Sequence, residues 1–223
     1  MPAVGIGWAQ TAKEESLMTE AKKRQRRKDE RPQEILHAAL EVFAEKGFAS
    51  AQVSEIAKRA GVAKGTVYLY YKTKQEIFEA IVRAKVSPVF VQLDEFLNQR
   101  QESAVELLTM ILGHIYRELV DSPLRRVVIK VLISEGKQFP ELVQFYHGEV
   151  LQFAQQLLHG VLARGLESGE FRDCPAMLEP RVVFGAAIMA AVWKMTFEDL
   201  SPLDLQQFLK AHLDVVLYGL IKR

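Results

Sequence analysis

The chain has 223 residues, with 29 Lys+Arg against 28 Asp+Glu and a formal net charge of +1, a balance that excludes a strongly basic nucleic-acid coat and an acidic tail protein. Residues 1–88 nevertheless hold 16 basic and 11 acidic side chains, net +5, whereas residues 89–223 hold 13 and 17, net −4. Such asymmetry points to a nucleic-acid or membrane surface at one end. A hydrophobic fraction of 49% is enough for a full core in one or two domains, and the single cysteine, Cys174, excludes an internal disulfide framework and a multi-cysteine zinc site, which fits a reducing, cytoplasmic setting.

Met1–Ala9 lacks a charged n-region and a long apolar core, so it is not read as a signal peptide. The longest apolar run, Val182–Trp193, has twelve residues and is too short to span hydrocarbon, so no membrane association is expected. Residues 1–28 carry little apolar periodicity and end in the basic run Lys22–Lys28. They are expected to be a disordered arm, either a solvated tail or a strand of charge lying on phosphates. Either Met1 or Met18 would serve as the start.

From residue 29 onward the pattern is helical throughout, and an all-α fold is predicted. Ile35, Ala39, Val42 and Phe43 recur at spacings of three and four and define a first helix stopping at Gly47. Val53, Ile56, Ala57 and Ala60 define a short second helix ending at Gly61. A third runs from near Lys64 to Tyr71, and Ile77, Phe78 and Ile81 mark a fourth. Six more are expected over roughly 88–100, 103–120, 123–135, 140–168, 179–197 and 202–221. The β-branched run Val127–Ile133 would also suit a buried strand, but its neighbours are helical. Ser87-Pro88, Ser122-Pro123 and Ser201-Pro202 each place a capping serine ahead of a proline suited to the first helical turn, and Asp204 falls at the third helical position of the last helix.

Residues 52–71 have the physics of a helix-turn-helix. Ala57 is small enough for close helix packing, Gly61 supplies a left-handed turn, and Val62 and Val67 plug the corner. Lys64, Gly65, Thr66, Tyr68, Leu69 and Tyr70 remain outside on a short helix able to enter a major groove. Taken with Gly47-Phe48, Ile56-Ala57, Ala60-Gly61-Val62, Lys64-Gly65-Thr66, Tyr68-Leu69-Tyr70-Tyr71 and Lys74, this stretch resembles the DNA-binding domain of TetR-family transcriptional regulators. The resemblance covers about residues 29–89 and implies an N-terminal three-helix helix-turn-helix domain. Residues 90–223 would form a C-terminal helical domain that binds an effector and dimerises. It also implies a dimeric repressor whose third helix reads double-stranded operator DNA, with Lys74 gripping a phosphate.

The family's usual threonine ahead of the second helix is replaced here by Ala51 and Gln52. Gln52 can still donate to a phosphate but is a poor cap, so Ser50 or Ser54 is expected to take over capping. Lys64 is the expected base reader, since lysine pairs with guanine O6 and N7. Thr66 suits a base or a phosphate, Gly65 lets the backbone approach, and Tyr68, Tyr70, Lys72 and Lys74 suit phosphates. The DNA-binding set is therefore Gln52, Ser54, Lys64, Gly65, Thr66, Tyr68, Leu69, Tyr70, Lys72 and Lys74. The alternative for Tyr68, Tyr70 and Tyr71 is a place in the core. The Gly65 neighbourhood is not a phosphate loop, because the Gly-Lys-Thr order is wrong.

In the acidic remainder, Val128–Leu142 followed by Phe145-Tyr146 is similar to the AefR-like subgroup, which implies control of an efflux or metabolic operon. Gly185, Ala186, Ala187, Ala190 and Ala191 offer a close-packing surface. Leu205, Leu209, His212, Leu213, Val216, Leu217 and Leu220 offer a broad apolar stripe. By the resemblance, helices 179–197 and 202–221 would form the homodimer interface; the alternative is that both are protomer core. Candidate effector contacts are Tyr116, Phe145, Tyr146, His147, Phe153, Phe184, Met189 and Trp193, each of which would serve equally as core. His114 and Glu118 stand at i,i+4 and would suit a metal or a helix-face hydrogen bond, and neither a metal nor a cofactor is expected. No nucleophile–base–acid constellation appears, so catalysis is not predicted. The rival readings are a DNA-binding architectural protein of the same fold without an effector, and an enzyme in which the motif is merely structural.

Overall fold

The computed structural model describes residues 30–98 and 102–222, so the basic arm and both candidate starts lie outside the described residues. The fold is all-α. The described residues form eleven α-helices and four short π- or 3-10-helical turns, and the sole β feature among them is an isolated antiparallel bridge between Phe171 and Ile221. The region 123–135, for which a strand was the alternative, is helix.

Helix α1 occupies residues 30–50. Its apolar face (Ile35, Ala39, Val42, Phe43) is almost fully buried, as the spacing predicts. Gly47 sits in its last turn at φ +77°, so the helical stretch continues for three residues beyond the predicted stop. Helices α2 (Val53–Arg59), α3 (Lys64–Tyr70) and α4 (Lys74–Lys85) follow. The turn after α2 is a Schellman motif: Gly61, at φ +66°, donates to Lys58 (3.2 Å) and Val62 to Ala57 (3.0 Å), satisfying carbonyls that the helix end leaves open. Ala57 and Val67 are buried where α2 meets α3.

The rest consists of α5 (Ser87–Asn98), α6 (Ala104–Ile115), α7 (Pro123–Glu135), α8 (Pro140–Tyr146), α9 (Gln152–Glu167), α10 (Gly185–Thr196) and α11 (Leu205–Leu220). A π-helical turn at Tyr116–Val120 extends α6, and another at His147–Leu151 joins α8 to α9. These fill the predicted segments 103–120 and 140–168. Helix α6 packs on α9 and α11, α10 on the first π turn and α7, and α4 on α5 and α8.

Of the three serine-proline caps, Ser122 behaves as predicted, accepting from Arg125 N at 3.4 Å ahead of Pro123. Ser201 does not cap. Asp204 does, accepting from Gln206 N (2.9 Å) and Gln207 N (3.0 Å), because a carboxylate two residues past the proline answers the exposed amides directly. Ser87 is itself the first residue of α5, and its hydroxyl contacts Glu149 Oε1 at 3.3 Å. Helix α6 carries a capping box between Ser103 and Glu106.

Candidate nucleic-acid interface and effector cavity

The outer surface of α2–α3 is built by burying its opposite side. Val67 and Ile56 are fully inside, so the residues between them in phase turn outward. Gln52, Ser54, Lys64, Gly65, Tyr68, Leu69 and Lys72 are exposed, and Thr66, Tyr70 and Lys74 are half-buried. Leu69 is 83% exposed, extreme for a leucine on an ordered helix. Lys64 Nζ lies 5.8 Å from the centre of the Tyr68 ring, so cation and aromatic share one patch. Gln52 stands at the N-cap of α2 and makes no side-chain capping bond; Ser54 does not replace it, its hydroxyl lying 3.3 Å from Gln52 Oε1.

Basic groups on the reverse side are tied down. Arg59 pairs with Glu45 through two bonds of 2.6 and 2.7 Å, and its guanidinium holds the Glu45 carboxyl below the ordinary range. Lys46 pairs with Glu55. These pairs fasten α2 to α1.

Lys74 departs from the phosphate role expected of it. Its ammonium donates to the carbonyls of Phe48, Ala49 (2.9 Å) and Ala51 (3.1 Å), so all three N–H groups are engaged within the protein. Burial lowers its pKa, partly countered by the charge of Glu135.

An apolar cavity of about 200 Å³ lies among α5, α6, α7, α8, α9 and α10. Phe90, Ile115, Leu119, Val120, Ile129, Tyr146, Leu151, Phe184, Ile188 and the small residues Ala154, Gly185, Ala187 and Ala191 wall it, with Gln155 and Arg181 as its polar members. Both π-helical turns contribute lining residues. Arg181 is 68% exposed and paired with Glu179, which puts its charge at the rim. Burial pushes the Tyr146 phenol up to about 12.

Of the eight predicted effector contacts, Tyr146 and Phe184 line this cavity. The other six do not. Tyr116 is buried beside it, its hydroxyl 3.1 Å from His212 Nδ1. Phe145 lies under Arg83 at the junction of α4 with α8, 4.7 Å from ring centre to guanidinium. His147 is exposed, and Phe153 lines a separate groove with Asp94 and Arg164. Met189 is half-exposed, and Trp193 donates to the Ser201 carbonyl at 2.8 Å. The lining residues not predicted are mostly small or aliphatic, and nothing in their spacing separates a cavity wall from core. His114 has both ring nitrogens engaged, with the Val89 carbonyl (3.2 Å) and Arg117 (3.0 Å) rather than with Glu118, whose carboxylate pairs with Arg117 and Arg125. Among the described residues no group of three potential metal ligands forms, and no helix is long and apolar enough to cross a membrane.

Of the five small residues expected at a dimer seam, Gly185 is exposed and Ala186 half-buried, and the other three are not at the surface. Ala187, Ala190 and Ala191 are buried within the protomer, as are His212 and Leu220 of α11, while the other stripe residues are half-buried. Helices α10 and α11 instead turn Ile188, Met189, Val215 and Tyr218 to solvent, as the 3-10 turn Pro180–Phe184 ahead of α10 does Val182.

Residues 35–81, which hold the helix-turn-helix, match the family model for bacterial regulatory proteins of the tetR family. The chain is 31% identical over 161 residues to the fatty acid metabolism regulator protein of Bacillus subtilis, covering 71% of this chain and 81% of that protein. It is similar in structure to the transcriptional regulator FadR of Bacillus subtilis, solved with stearoyl-CoA (TM-score 0.72, 29% identity, 84% of this chain and 98% of that one). It is likewise similar to the fatty acid degradation regulator FadR of Bacillus halodurans (TM-score 0.73, 28% identity, 86% and 97%). These relatives do not confirm the AefR-like subgroup. Regulators of this kind bind operator DNA and small-molecule effectors, act as dimers and are not enzymes. These likenesses make the chain a member of the tetR family of bacterial regulatory proteins, a DNA-binding transcriptional regulator.

Proposed function

We propose that the protein is a cytoplasmic, homodimeric repressor released from its operator by an effector with a long apolar chain and an anionic head, of the acyl-thioester class. The observation that carries the effector class is the cavity: its wall is apolar apart from Gln155, Arg181 and the Tyr146 phenol, and the Arg181 charge stands at its edge. Stearoyl-CoA in the Bacillus subtilis relative supports the same chemistry. At about 200 Å³ the cavity is smaller than the roughly 300 Å³ at the low end of small-molecule sites, so a long chain enters by pushing helices apart.

On the DNA side, Lys64, Tyr68 and Leu69 make the central contact surface, with Thr66, Tyr70, Gly65, Gln52, Ser54 and Lys72 around it. The domain division near residue 89 and pairing through α10 and α11 complete the reading, with Val182, Met189, Val215 and Tyr218 as the surface presented to a second copy. A two-fold axis there would set the reading helices about 34–36 Å apart, one turn of the duplex. Filling the cavity favours a conformer with mis-spaced reading helices. Moving the bound fraction from 99:1 to 1:99 takes about 10⁴-fold differential affinity, roughly 5.5 kcal/mol.

The test is a titration of stearoyl-CoA against the protein bound to DNA from upstream of its own gene. Release of wild type, and loss of binding in Lys64→Ala and Tyr70→Ala with the dimer intact, are the expected results. Binding without any acyl-CoA-linked release would favour the architectural reading, and normal DNA affinity in both variants would sink the assignment of the reading helix.

A further inference from the structure

The last turn of α1, which leads into α2, presents two amides beyond Gly47, Phe48 N–H and Ala49 N–H. No local side chain answers them. Both are taken by one carboxylate, Glu135, the last residue of α7 and more than eighty positions away: Oε1 accepts from Phe48 at 2.7 Å and Oε2 from Ala49 at 2.6 Å. Gly47 makes this approach possible, since a Cβ there would stand 2.6 Å from Glu135 Oε1. Lys74 holds the carbonyl side of the same turn, and Phe139, just beyond α7, packs edge-on against the Phe48 ring at 4.9 Å. The turn is therefore gripped from within by α4 and from outside by α7.

Helix α7 also forms part of the cavity wall through Ile129. Ile129 and Glu135 lie six residues apart on one continuous helix, about 9 Å along its axis, a length over which a helix moves as a rigid rod. A two-point carboxylate clamp is sensitive to such movement, because both bonds are short and point at adjacent amides.

We infer that Glu135 is a positioning residue for DNA binding, a latch through which α7 fixes the α1–α2 turn and releases it when the cavity fills. The latch rests on the geometry alone; its release on filling rests on the effector reading above. Glu135 touches no DNA in this scheme. It sets where α2 and α3 stand relative to the rest of the protomer.

The test uses the full chain and the Glu135→Gln variant, which keeps the size but replaces one accepting oxygen with a donor. Hydrogen exchange at the Phe48 and Ala49 amides should accelerate about tenfold or more, as expected for losing a bond to a charged acceptor. In calorimetry the N-terminal helices should melt as a separate, earlier transition. Stearoyl-CoA should bind Glu135→Gln more tightly than wild type, because the intact latch opposes filling, and should change exchange across residues 47–71 only in wild type. Glu135→Asp, with the same charge withdrawn by one methylene, gives the same readings should the glutamine variant fail to fold. Wild-type exchange at both amides in the variants overturns the latch. So does equal acceleration in Lys130→Ala, which removes only the other bond from α7 to α1, Lys130 Nζ to the Ala44 carbonyl at 3.1 Å. If stearoyl-CoA binds neither protein, the effector reading fails while the exchange and melting comparison still decides the latch.

Discussion

The ammonium of Lys74 sits 4.6 Å from the centre of the Phe48 ring and donates to the carbonyl of that same residue. One cation thus holds both the ring and the backbone of the turn leading into the reading helices. Lys74→Met keeps the apolar stem and removes three charge-assisted bonds, each worth more than a neutral one. The expected loss is about 2 kcal/mol or more in urea unfolding. A lysine that grips a phosphate would also lower the salt slope of DNA binding by about one when removed. Because its donors are occupied, the slope should not change; a drop of one in Lys74→Met would show that Lys74 leaves the turn for the DNA.

Gly47 and Gly61 share a left-handed backbone, at φ +77° and +66°, but differ in surroundings. An alanine at 61 meets nothing within 4 Å, so Gly61→Ala should cost only the backbone term, about 1–2 kcal/mol. At 47 the new methyl collides with Glu135 Oε1 in addition. Gly47→Ala should therefore be the more destabilising, and Glu135→Ala should recover part of the excess in the double variant. Equal costs for the two glycines, measured by chemical unfolding, would show that the Glu135 contact yields freely.

Leu69 separates recognition from folding. It is 83% exposed, so Leu69→Ser removes almost no buried apolar surface and should leave the melting temperature within about 1 °C, a shift smaller than that of a ~0.5 kcal/mol surface change. DNA affinity should nonetheless fall about tenfold, the worth of an apolar base contact at about 1.4 kcal/mol. A fluorescence-anisotropy titration that finds unchanged affinity would remove Leu69 from the contact surface.

The helices themselves were legible because periodicity is a local property: Ile35, Ala39, Val42 and Phe43 declare their face without any neighbour. The corner at Gly61 was legible for the same reason, since a left-handed turn is a demand on one residue. Periodicity groups residues on a face but does not say what covers it. The alanines of α10 therefore read as a seam between protomers, although Ala187, Ala190 and Ala191 pack inside one. Aromatic size misled in the same way, since Phe145, Phe153 and Trp193 found other partners while the cavity took aliphatic walls. Glu135 gave no signal at all, because its amide partners lie more than eighty residues away.

His212 should make stability depend on pH above the carboxylate range. Its ring is buried, with Tyr116 O–H donating to Nδ1 at 3.1 Å and a hydrogen bond to the Val183 backbone from the ring's other side. Burial raises the Tyr116 phenol to about 12, so that hydroxyl remains a proton donor. Burial lowers the His212 pKa below its ordinary value of 6.5. The unfolded chain then binds the proton more tightly than the folded one, so stability is full above pH 6.5 and falls as pH drops through and below that value. His114, also lowered mainly by burial, acts with the same sign on its half-exposed helix face. The lowered carboxyls, such as Glu118 and Glu198, start from 4.5 and titrate in more acid solution. Wild type should therefore lose melting temperature between about pH 7.5 and 5.5, and His212→Gln should lose distinctly less over the same span. The slope is the quantity to compare, because glutamine in that buried site shifts the absolute stability by itself. Parallel slopes in the two proteins would mean that His212 accepts its proton without strain on the fold.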